Sequence, residues 1–198
     1  MLMLSLFLAC ADDVKTSDAE TIVETIIETE TVTETVTETV TETEEMCATL
    51  AGRQVCDFSA IDSNGDEVWL YDLIGKPVIL DLSAMWCGPC QRAAEEVQAV
   101  QDDYPDLTYL TILIENLSSE PPSADDLEIW EREFRITDAP VWGSSRALIT
   151  NDPTEIENKL YLSGWPTFYF LDAELRVVGY QRGFDSDIIE DWASELTE

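Results

Sequence analysis

The sequence contains no histidine, and this absence excludes several kinds of site at once. A Ser-His-Asp triad, a Cys-His protease pair and a histidine-ligated metal all need an imidazole. Basic residues are also scarce, because 10 Lys and Arg stand against 42 Asp and Glu, and the net charge is −32. A surface this acidic repels the phosphate backbone, so we expect no nucleic-acid partner. Any chemistry must use cysteines, carboxylates, hydroxyl groups or the few basic side chains.

The chain begins with a short apolar run, MLMLSLFLAC. It cannot span a bilayer as a helix, which takes roughly 20 residues, but it matches the apolar middle of an export signal. Ala9 followed by Cys10 resembles the lipobox of bacterial lipoproteins, in which the cysteine becomes the lipid-modified first residue, although Phe7 stands where the lipobox has Leu. We predict that residues 1–10 are a lipoprotein signal peptide; the alternative is an apolar terminus with no signal function.

Residues 11–46 form a low-complexity segment with 12 acidic residues and one Lys, in which the unit TVTE occurs three times from Thr31. The segment lacks aromatic residues and is too acidic to bury much surface, which favours a solvated tether. Apolar residues also recur every four positions, so a long helix over residues 20–45 is the alternative. Either form would hold a domain away from a membrane anchor.

The composition of residues 47–198 is that of a folded domain, although its 9 basic and 30 acidic residues leave a net charge of −21. The apolar run at 78–84 predicts a buried central strand, and residues 107–115 predict another. Strands that alternate with helices predict an α/β fold with a mixed central sheet flanked by helices and an N-terminal hairpin. The predicted helices follow Cys87 and cover residues 124–134, 152–162 and 185–196, and hairpins turn at residues 63–66 and 172–174.

Four cysteines remain besides Cys10, separated in turn by eight, thirty and two residues. Zinc ribbons use two short C-x-x-C knuckles, so this spacing disfavours zinc. A purely structural disulfide between Cys87 and Cys90 would close too small a loop to remove much entropy from the unfolded chain. The pattern instead favours redox chemistry, because a helix N-terminus directly after a strand lowers the pKa of its first thiol. We predict an exposed, attacking Cys87 and an inward-pointing, resolving Cys90.

The residues between and around the two cysteines extend this interpretation. Gly88 lets a substrate chain approach closely, and Pro89 fits the first turn of a helix, where its missing N–H costs nothing. The stretch VILDLSAMWCGPC resembles thioredoxin, whose signature is WCGPC. GWPTFYFLD also resembles the thioredoxin segment that carries a cis-proline facing the dithiol. The resemblance covers about residues 50–198.

This resemblance implies a thioredoxin-like fold and a thiol-disulfide oxidoreductase with neither a dissociable cofactor nor a metal. Asp81, six residues before Cys87, takes the place of the buried carboxylate that moves the proton of Cys90. Pro166 takes the place of the cis-proline. Ser83 replaces a usual aromatic residue. The groove that binds the substrate would be lined by Trp86, Gly88, Pro89, Trp165 and Thr167.

Each of these residues also has a simpler interpretation. Asp81 could be a carboxylate on an edge strand, and Pro166 an ordinary trans turn proline. Trp165, bulky where the family has Val, Thr or Ile, could serve only in packing. The fold itself could carry a redox-silent binding module, or a peroxiredoxin-like thiol peroxidase, for which WCGPC is the wrong motif.

The N-terminal hairpin and the long insertion between the strand at residues 107–115 and the second predicted helix resemble the TlpA/ResA branch of extracytoplasmic, membrane-attached thioredoxins. That branch implies protein disulfide substrates, an unidentified electron donor and an envelope location, with the membrane reached through lipid on Cys10. The Gly-Pro pair favours the reducing direction, and we expect a monomer. Exported chains meet oxidising conditions, and four thiols allow three pairings. The simplest partition makes Cys47–Cys56 structural; in the alternative, one of these two relays electrons to the dithiol.

Overall fold

The computed structural model describes residues 47–156 and 158–198, so the predicted signal peptide, Cys10 and the tether lie outside the described residues. Strand β3 (Val78–Ala84) is buried at every position. Strand β4 (Thr108–Glu115) lies parallel to it, with Asp81 opposite Thr111. Strands rich in apolar residues at successive positions are typical of sheets covered on both faces, which is why these two occupy the centre of the sheet.

The main sheet has seven strands in the order β2-β1-β5-β4-β3-β8-β9 and mixes parallel with antiparallel pairs. The predicted N-terminal hairpin is present, because β1 pairs antiparallel with β2 across the SNGD turn. Strand β8 pairs antiparallel with β3 and then with β9, which forms the second predicted hairpin. The remaining bounds are β1 (Ser59–Ile61), β2 (Glu67–Trp69), β5 (Val141–Gly143), β8 (Thr167–Leu171) and β9 (Val177–Arg182).

Among the described residues, each of the three α-helices is preceded by a residue that caps it. Helix α1 (Gly88–Asp103) is capped by Cys87 and has a proline in its first turn. Helix α2 (Ala124–Phe134) begins with a capping box, in which the side chains of Ser123 and Asp126 each accept the backbone N–H of the other. Helix α3 (Ser186–Thr197) begins at Asp185. Such side chains satisfy N–H groups that have no partner within the helix.

The sheet separates two apolar clusters. The first contains Cys87 and Cys90 and takes buried side chains from all three helices. The second lies on the other face and takes Leu70 and Leu160 from outside the main sheet. Leu70 belongs to a short 3-10 helix (Leu70–Leu73), so one face is covered by α-helices and the other by short and irregular segments.

The helix predicted over residues 152–162 is wrong. Asp152 forms a turn instead, because its Oδ1 accepts the backbone N–H of Thr154 at 2.9 Å and its hydroxyl at 2.7 Å. Asp and Thr compete with helix formation through such local bonds. Further on, β7 (Leu160–Tyr161) pairs in parallel with β6 (Ile149–Thr150), and burial of Leu160 decides the strand over the helix. Residues 137–151, which the sequence pattern left unassigned, contain β5 and β6.

Candidate active site

The end of β3 and the start of α1 hold the two C-x-x-C cysteines, which are joined as a disulfide with their Cα atoms 5.2 Å apart. The Cys87 Sγ is also the cap of the helix, because it accepts the backbone N–H of Cys90 at 3.2 Å. Unpaired N–H groups and the helix dipole at this end favour an anion. A thiolate formed at Cys87 on reduction would therefore be stabilised where the helix begins.

In the disulfide form Cys87 is only 3% exposed and Cys90 is fully buried. The predicted exposure of Cys87 concerns its free thiol in the reduced protein and stays a prediction. The disulfide turns the sulfur of Cys87 toward Cys90. The residue then joins the apolar cluster that includes Met85 and, at its margin, Trp165. In this form the more accessible neighbours of the sulfur atoms are Trp86, 42% exposed, and Gly88.

Asp81 lies in the middle of the central strand and is 1% exposed. It is not the edge-strand carboxylate of the simpler interpretation, because β3 lies between β4 and β8. Strand alternation puts Asp81 on the same face as Ile79, and both Ile79 and Cys90 belong to the helix-side cluster. Burial raises the pKa of Asp81 to about 7, while the Ser83 hydroxyl, which donates to Oδ1 at 2.7 Å, acts in the lowering direction. A carboxyl with this pKa can exchange a proton near neutral pH.

Two more hydroxyl groups lie on this face of β4, and sequence reasoning missed both. Thr111 is directly opposite Asp81, and Tyr109 is two residues before it on the same face. Each hydroxyl oxygen is buried without a hydrogen-bond partner among the described residues. Burial, then the nearby charges of Asp81 and Glu96, raise the pKa of Tyr109 well above its usual value, so its phenol stays neutral. The alternating Tyr and Thr in a strand of apolar residues was the available signal.

The loop before β8 contacts the C-x-x-C segment through Trp165. The Trp165–Pro166 peptide bond is cis, and the Pro166 carbonyl accepts the N–H of Gly183 at 2.8 Å. Thr167 is buried, and its hydroxyl donates to the Gly164 carbonyl at 2.7 Å. The indole of Trp165 meets that of Trp86 edge to face, with ring centroids 5.9 Å apart. The two tryptophans therefore bring the loop and the C-x-x-C segment together.

A polar chain that the sequence did not reveal holds Trp86 in place. The Trp86 Nε1 donates to Glu115 Oε2 at 2.7 Å, and Arg146 Nε donates to Glu115 Oε1 in an ion pair. Glu115 ends β4 and is 3% exposed, so its charge is buried between these two donors. A buried carboxylate is stable only with such partners. Arg146 comes from a 3-10 turn (Arg146–Leu148) that follows Glu115 by 31 residues in the chain, which explains why sequence spacing gave no signal.

The remaining predicted residues lie as follows. Gly88 has no neighbour within 4 Å of a position where a Cβ would stand, so internal packing does not require glycine here. Pro89 occupies the first turn of α1. Cys47 and Cys56 form a second disulfide, with Cα atoms 4.8 Å apart, on the segment that leads to β1. Among residues 47–156 and 158–198, no three Cys, Asp or Glu side chains gather closely enough to hold a metal ion.

We compared the chain with known protein families and curated proteins. A family model described as the AhpC/TSA family matches residues 51–178. The thioredoxin-like protein YneN of Bacillus subtilis is 27% identical over 121 residues, which are 61% of this chain and 65% of YneN. A thioredoxin of Geodia cydonium is 30% identical over 59 residues, 30% of this chain and 55% of that protein. The chain thus spans less than two thirds of these relatives.

Solved structures share the fold. The exposed lipoprotein thioredoxin of Streptococcus pneumoniae is 25% identical with a TM-score of 0.55, and the match covers 71% of this chain and all of that one. A thiol:disulfide interchange protein of the thioredoxin family from Chlorobium tepidum is 21% identical with a TM-score of 0.57, covering 76% and 97%. The predicted thioredoxin-like fold is confirmed. Within the described part of the chain, every helix is too short or too polar to cross a membrane.

Proposed function

The chain belongs to the AhpC/TSA family, and from this premise we propose that it is a thiol-disulfide oxidoreductase that reduces protein disulfides through Cys87 and Cys90. The observation that carries the proposal is the Cys87–Cys90 disulfide at the start of α1, with Asp81 buried on the same face of the sheet. YneN is named a thioredoxin-like protein, and several structures with this fold are named thiol-disulfide oxidoreductases or interchange proteins, which supports this class.

In the reducing direction, the Cys87 thiolate attacks one sulfur of a substrate disulfide. A Cys87–substrate disulfide forms, and the substrate's other sulfur leaves as a thiolate that takes a proton from solvent. The Cys90 thiol then loses its proton to Asp81, and its thiolate attacks Cys87 Sγ. This step forms the Cys87–Cys90 disulfide, breaks the Cys87–substrate disulfide and releases the second substrate sulfur as a thiolate. That thiolate takes a proton from solvent, and Asp81 returns its proton to solvent. One substrate disulfide becomes two thiols, and an electron donor must later reduce the enzyme disulfide.

The remaining parts of the site have positioning roles in this proposal. Pro166 and the backbone of Trp165 support the bound substrate segment. Glu115 holds the Trp86 indole beside the disulfide, and Thr167 fixes the loop through its bond to the Gly164 carbonyl. Since the disulfide form buries Cys87, the substrate must reach this sulfur after reduction has separated it from Cys90. No dissociable cofactor takes part.

The reaction is tested with the full chain, reduced and then mixed with a protein disulfide such as insulin. The wild type should reduce insulin when dithiothreitol supplies electrons, and Cys87→Ser should not. Cys90→Ser should accumulate a mixed disulfide through Cys87, seen as a shifted band on a non-reducing gel that dithiothreitol removes. Failure to form this adduct, together with no insulin reduction by the wild type, would support the redox-silent binding module.

The same preparation separates this function from a thiol peroxidase. Hydrogen peroxide replaces insulin, and the loss of peroxide and of protein thiols is followed. A peroxidase would consume peroxide faster than it reduces insulin, whereas the proposed enzyme shows the reverse order. The reduction potential of the Cys87–Cys90 pair, measured against glutathione, then gives the direction of transfer, with a value near that of thioredoxin, about −270 mV, expected for a reductant.

The location is also a proposal: an envelope protein anchored by lipid on Cys10, facing the periplasm or cell exterior. Its support is the LFLAC run before the acidic segment and the name of the pneumococcal relative, an exposed lipoprotein thioredoxin. Expressed in a bacterium that processes lipoproteins, the wild type should fractionate with membranes, and Cys10→Ser should leave them. Mass spectrometry that finds an unmodified Met1 on the wild type would refute the anchor.

A further inference from the structure

A polar groove lies next to the cis-proline loop. Trp165 belongs to this groove and also to the tryptophan pair beside the disulfide, so the groove continues from the proposed reaction site. An extended peptide advances about 3.3 Å per residue. A substrate residue two or three positions from the reacting cysteine can therefore reach the groove. It is lined by Arg146, Asn151, Tyr161, Leu162, Ser163, Gly164 and Trp165.

Arg182 packs over the backbone of this loop. A Cβ on Gly164 would lie 2.6 Å from Arg182 Nε and 3.3 Å from Nη2, so the guanidinium occupies the space that a side chain would take. The base of Arg182 is held there, because Thr167 pairs with Arg182 across β8 and β9 and Gly183 donates to the Pro166 carbonyl. Among the described residues, the guanidinium has no hydrogen-bond or ion-pair partner. It is an exposed cation placed directly beside the docking loop.

Arg146 supplies a second cation and itself lines the groove. Its Nε is bound to the buried Glu115, which fixes the direction of the guanidinium, while the side chain as a whole is 60% exposed. Glu115 also accepts Trp86 Nε1, so the carboxylate is shared between two donors. The terminal nitrogens of a guanidinium held in this way remain available to a carboxylate from outside.

These two cations stand out against the rest of the molecule. Residues 47–198 contain only 9 basic residues against 30 acidic ones, yet one of the nine lines this groove and another packs against Gly164, which also lines it. At physiological ionic strength, charges more than about 8 Å apart are largely screened. The net negative charge therefore acts weakly on a bound peptide, and the two arginines act at contact distance.

We infer that this groove selects protein substrates that carry an Asp or Glu two or three residues from the reacting cysteine. This inference rests on the proposed function, since it names the substrate class of the same site. The bound carboxylate would face the guanidinium groups of Arg182 and Arg146. Exposed ion pairs are individually weak, so the two together should favour an acidic peptide over a neutral one roughly three- to tenfold in rate.

The test uses the reduced full chain and three disulfide-linked peptides that differ only at the position two residues from cysteine, which is Asp, Asn or Lys. Second-order rate constants are measured at 0.15 M ionic strength by acid quenching and chromatography. The wild type should react fastest with the Asp peptide and slowest with the Lys peptide. In Arg182→Gln the Asp-to-Asn ratio should fall toward one. Arg132→Gln makes the same charge change on α2, outside the groove, and should keep the wild-type ratio.

Each result has one meaning. Equal rates for the Asp and Asn peptides with the wild type, or an Asp-to-Asn ratio that Arg182→Gln leaves undiminished, would overturn the acidic subsite. A loss of preference in Arg132→Gln as large as that in Arg182→Gln would also overturn it, because total charge would then be responsible. If no peptide is reduced although Cys87 is free to alkylation, the proposed function itself has failed. Gly164→Ala, which displaces the Arg182 guanidinium without changing charge, should lower the ratio as Arg182→Gln does.

Discussion

The two disulfides of this protein are made of the same bond but lie in different surroundings. Cys47–Cys56 joins half-exposed residues on an irregular segment. The backbone N–H of Ala48 in this segment donates to the Gln54 carbonyl, and that of Val55 donates to the Leu175 carbonyl. Cys87–Cys90 is buried, caps a helix and shares a face of the sheet with Asp81. One disulfide holds the chain against the sheet edge, while the other lies where a thiolate and a proton acceptor are both supported.

In the proposed function, the reactivity of Cys87–Cys90 depends on the helix N-terminus and on the buried carboxylate of Asp81, which Cys47–Cys56 lacks. Breaking each disulfide by itself should therefore have different consequences, and the predictions that follow are ordered from the largest effect to the smallest.

The largest difference is expected in activity. Cys87→Ser removes the attacking thiol and should lower insulin reduction by at least about a hundredfold. Replacing Cys47 and Cys56 together by Ser should leave the rate within about twofold, because neither side chain takes part in the proposed steps. Insulin turnover with dithiothreitol as donor measures both. A comparable loss in the Cys47/Cys56 double variant would favour the alternative in which this pair relays electrons.

The buried carboxylate of Asp81 should weaken the fold at high pH. Its pKa is about 7 in the folded protein, against 3.8 for a free side chain. The unfolded chain therefore loses this proton near pH 4 and the folded chain only near pH 7, so stability falls as the pH rises between these values. Asp81→Asn removes this dependence, and at pH 8 it should raise the free energy of unfolding by up to about 4 kcal/mol.

Urea unfolding of oxidised wild type and Asp81→Asn at pH 4 and pH 8 tests this. The stability difference between the two proteins should grow with pH. A difference that is the same at both pH values would show that Asp81 is not held neutral by burial. In the activity assay, the variant should retain the first attack by Cys87 and release the mixed disulfide slowly.

The Cys47–Cys56 disulfide should matter for stability more than for chemistry. The chain-entropy account gives about 2–3 kcal/mol for a loop of this length. We therefore expect the Cys47/Cys56 double Ser variant to lose about that much in urea unfolding. In the wild type, mild reduction that opens Cys87–Cys90 should leave Cys47–Cys56 closed. Peptide mapping after alkylation measures this, and free thiols at Cys47 and Cys56, or a Cys47–Cys87 link, would contradict the partition.

The smallest effect concerns Ser83, whose hydroxyl donates to Asp81 and acts to lower its pKa. Ser83→Ala should raise the pKa of Asp81 by about one pH unit, since a hydrogen bond to a charged group contributes about 1.5 kcal/mol. The pH range over which stability falls would move to higher pH by the same amount. Ser83→Thr keeps the hydroxyl and should retain the wild-type profile. Identical profiles for all three proteins would remove Ser83 from the proton chemistry.

The sequence by itself predicted most of the fold for physical reasons that are local. A mostly apolar run such as residues 78–84 is stable only when covered on both faces. Residues 124–134 bring Leu127 and Trp130 to one side of a helix. The helix predicted over residues 152–162 is absent because the turn at Asp152 and the burial of Leu160 in a strand outweigh the local helical pattern. The relative strength of these effects cannot be obtained from the sequence.

For the site, WCGPC placed the cysteines because helix start and spacing are both local properties of the chain. Only the tertiary structure decided what surrounds them. The pairing of Glu115 with Trp86 and Arg146 joins residues 29 and 31 positions apart in the chain, and Thr111 meets Asp81 only through strand register. Arg182 reaches Gly164 only because β9 returns beside the cis-proline loop. Such contacts depend on how elements pack in space, and the order of residues along the chain does not contain them in readable form.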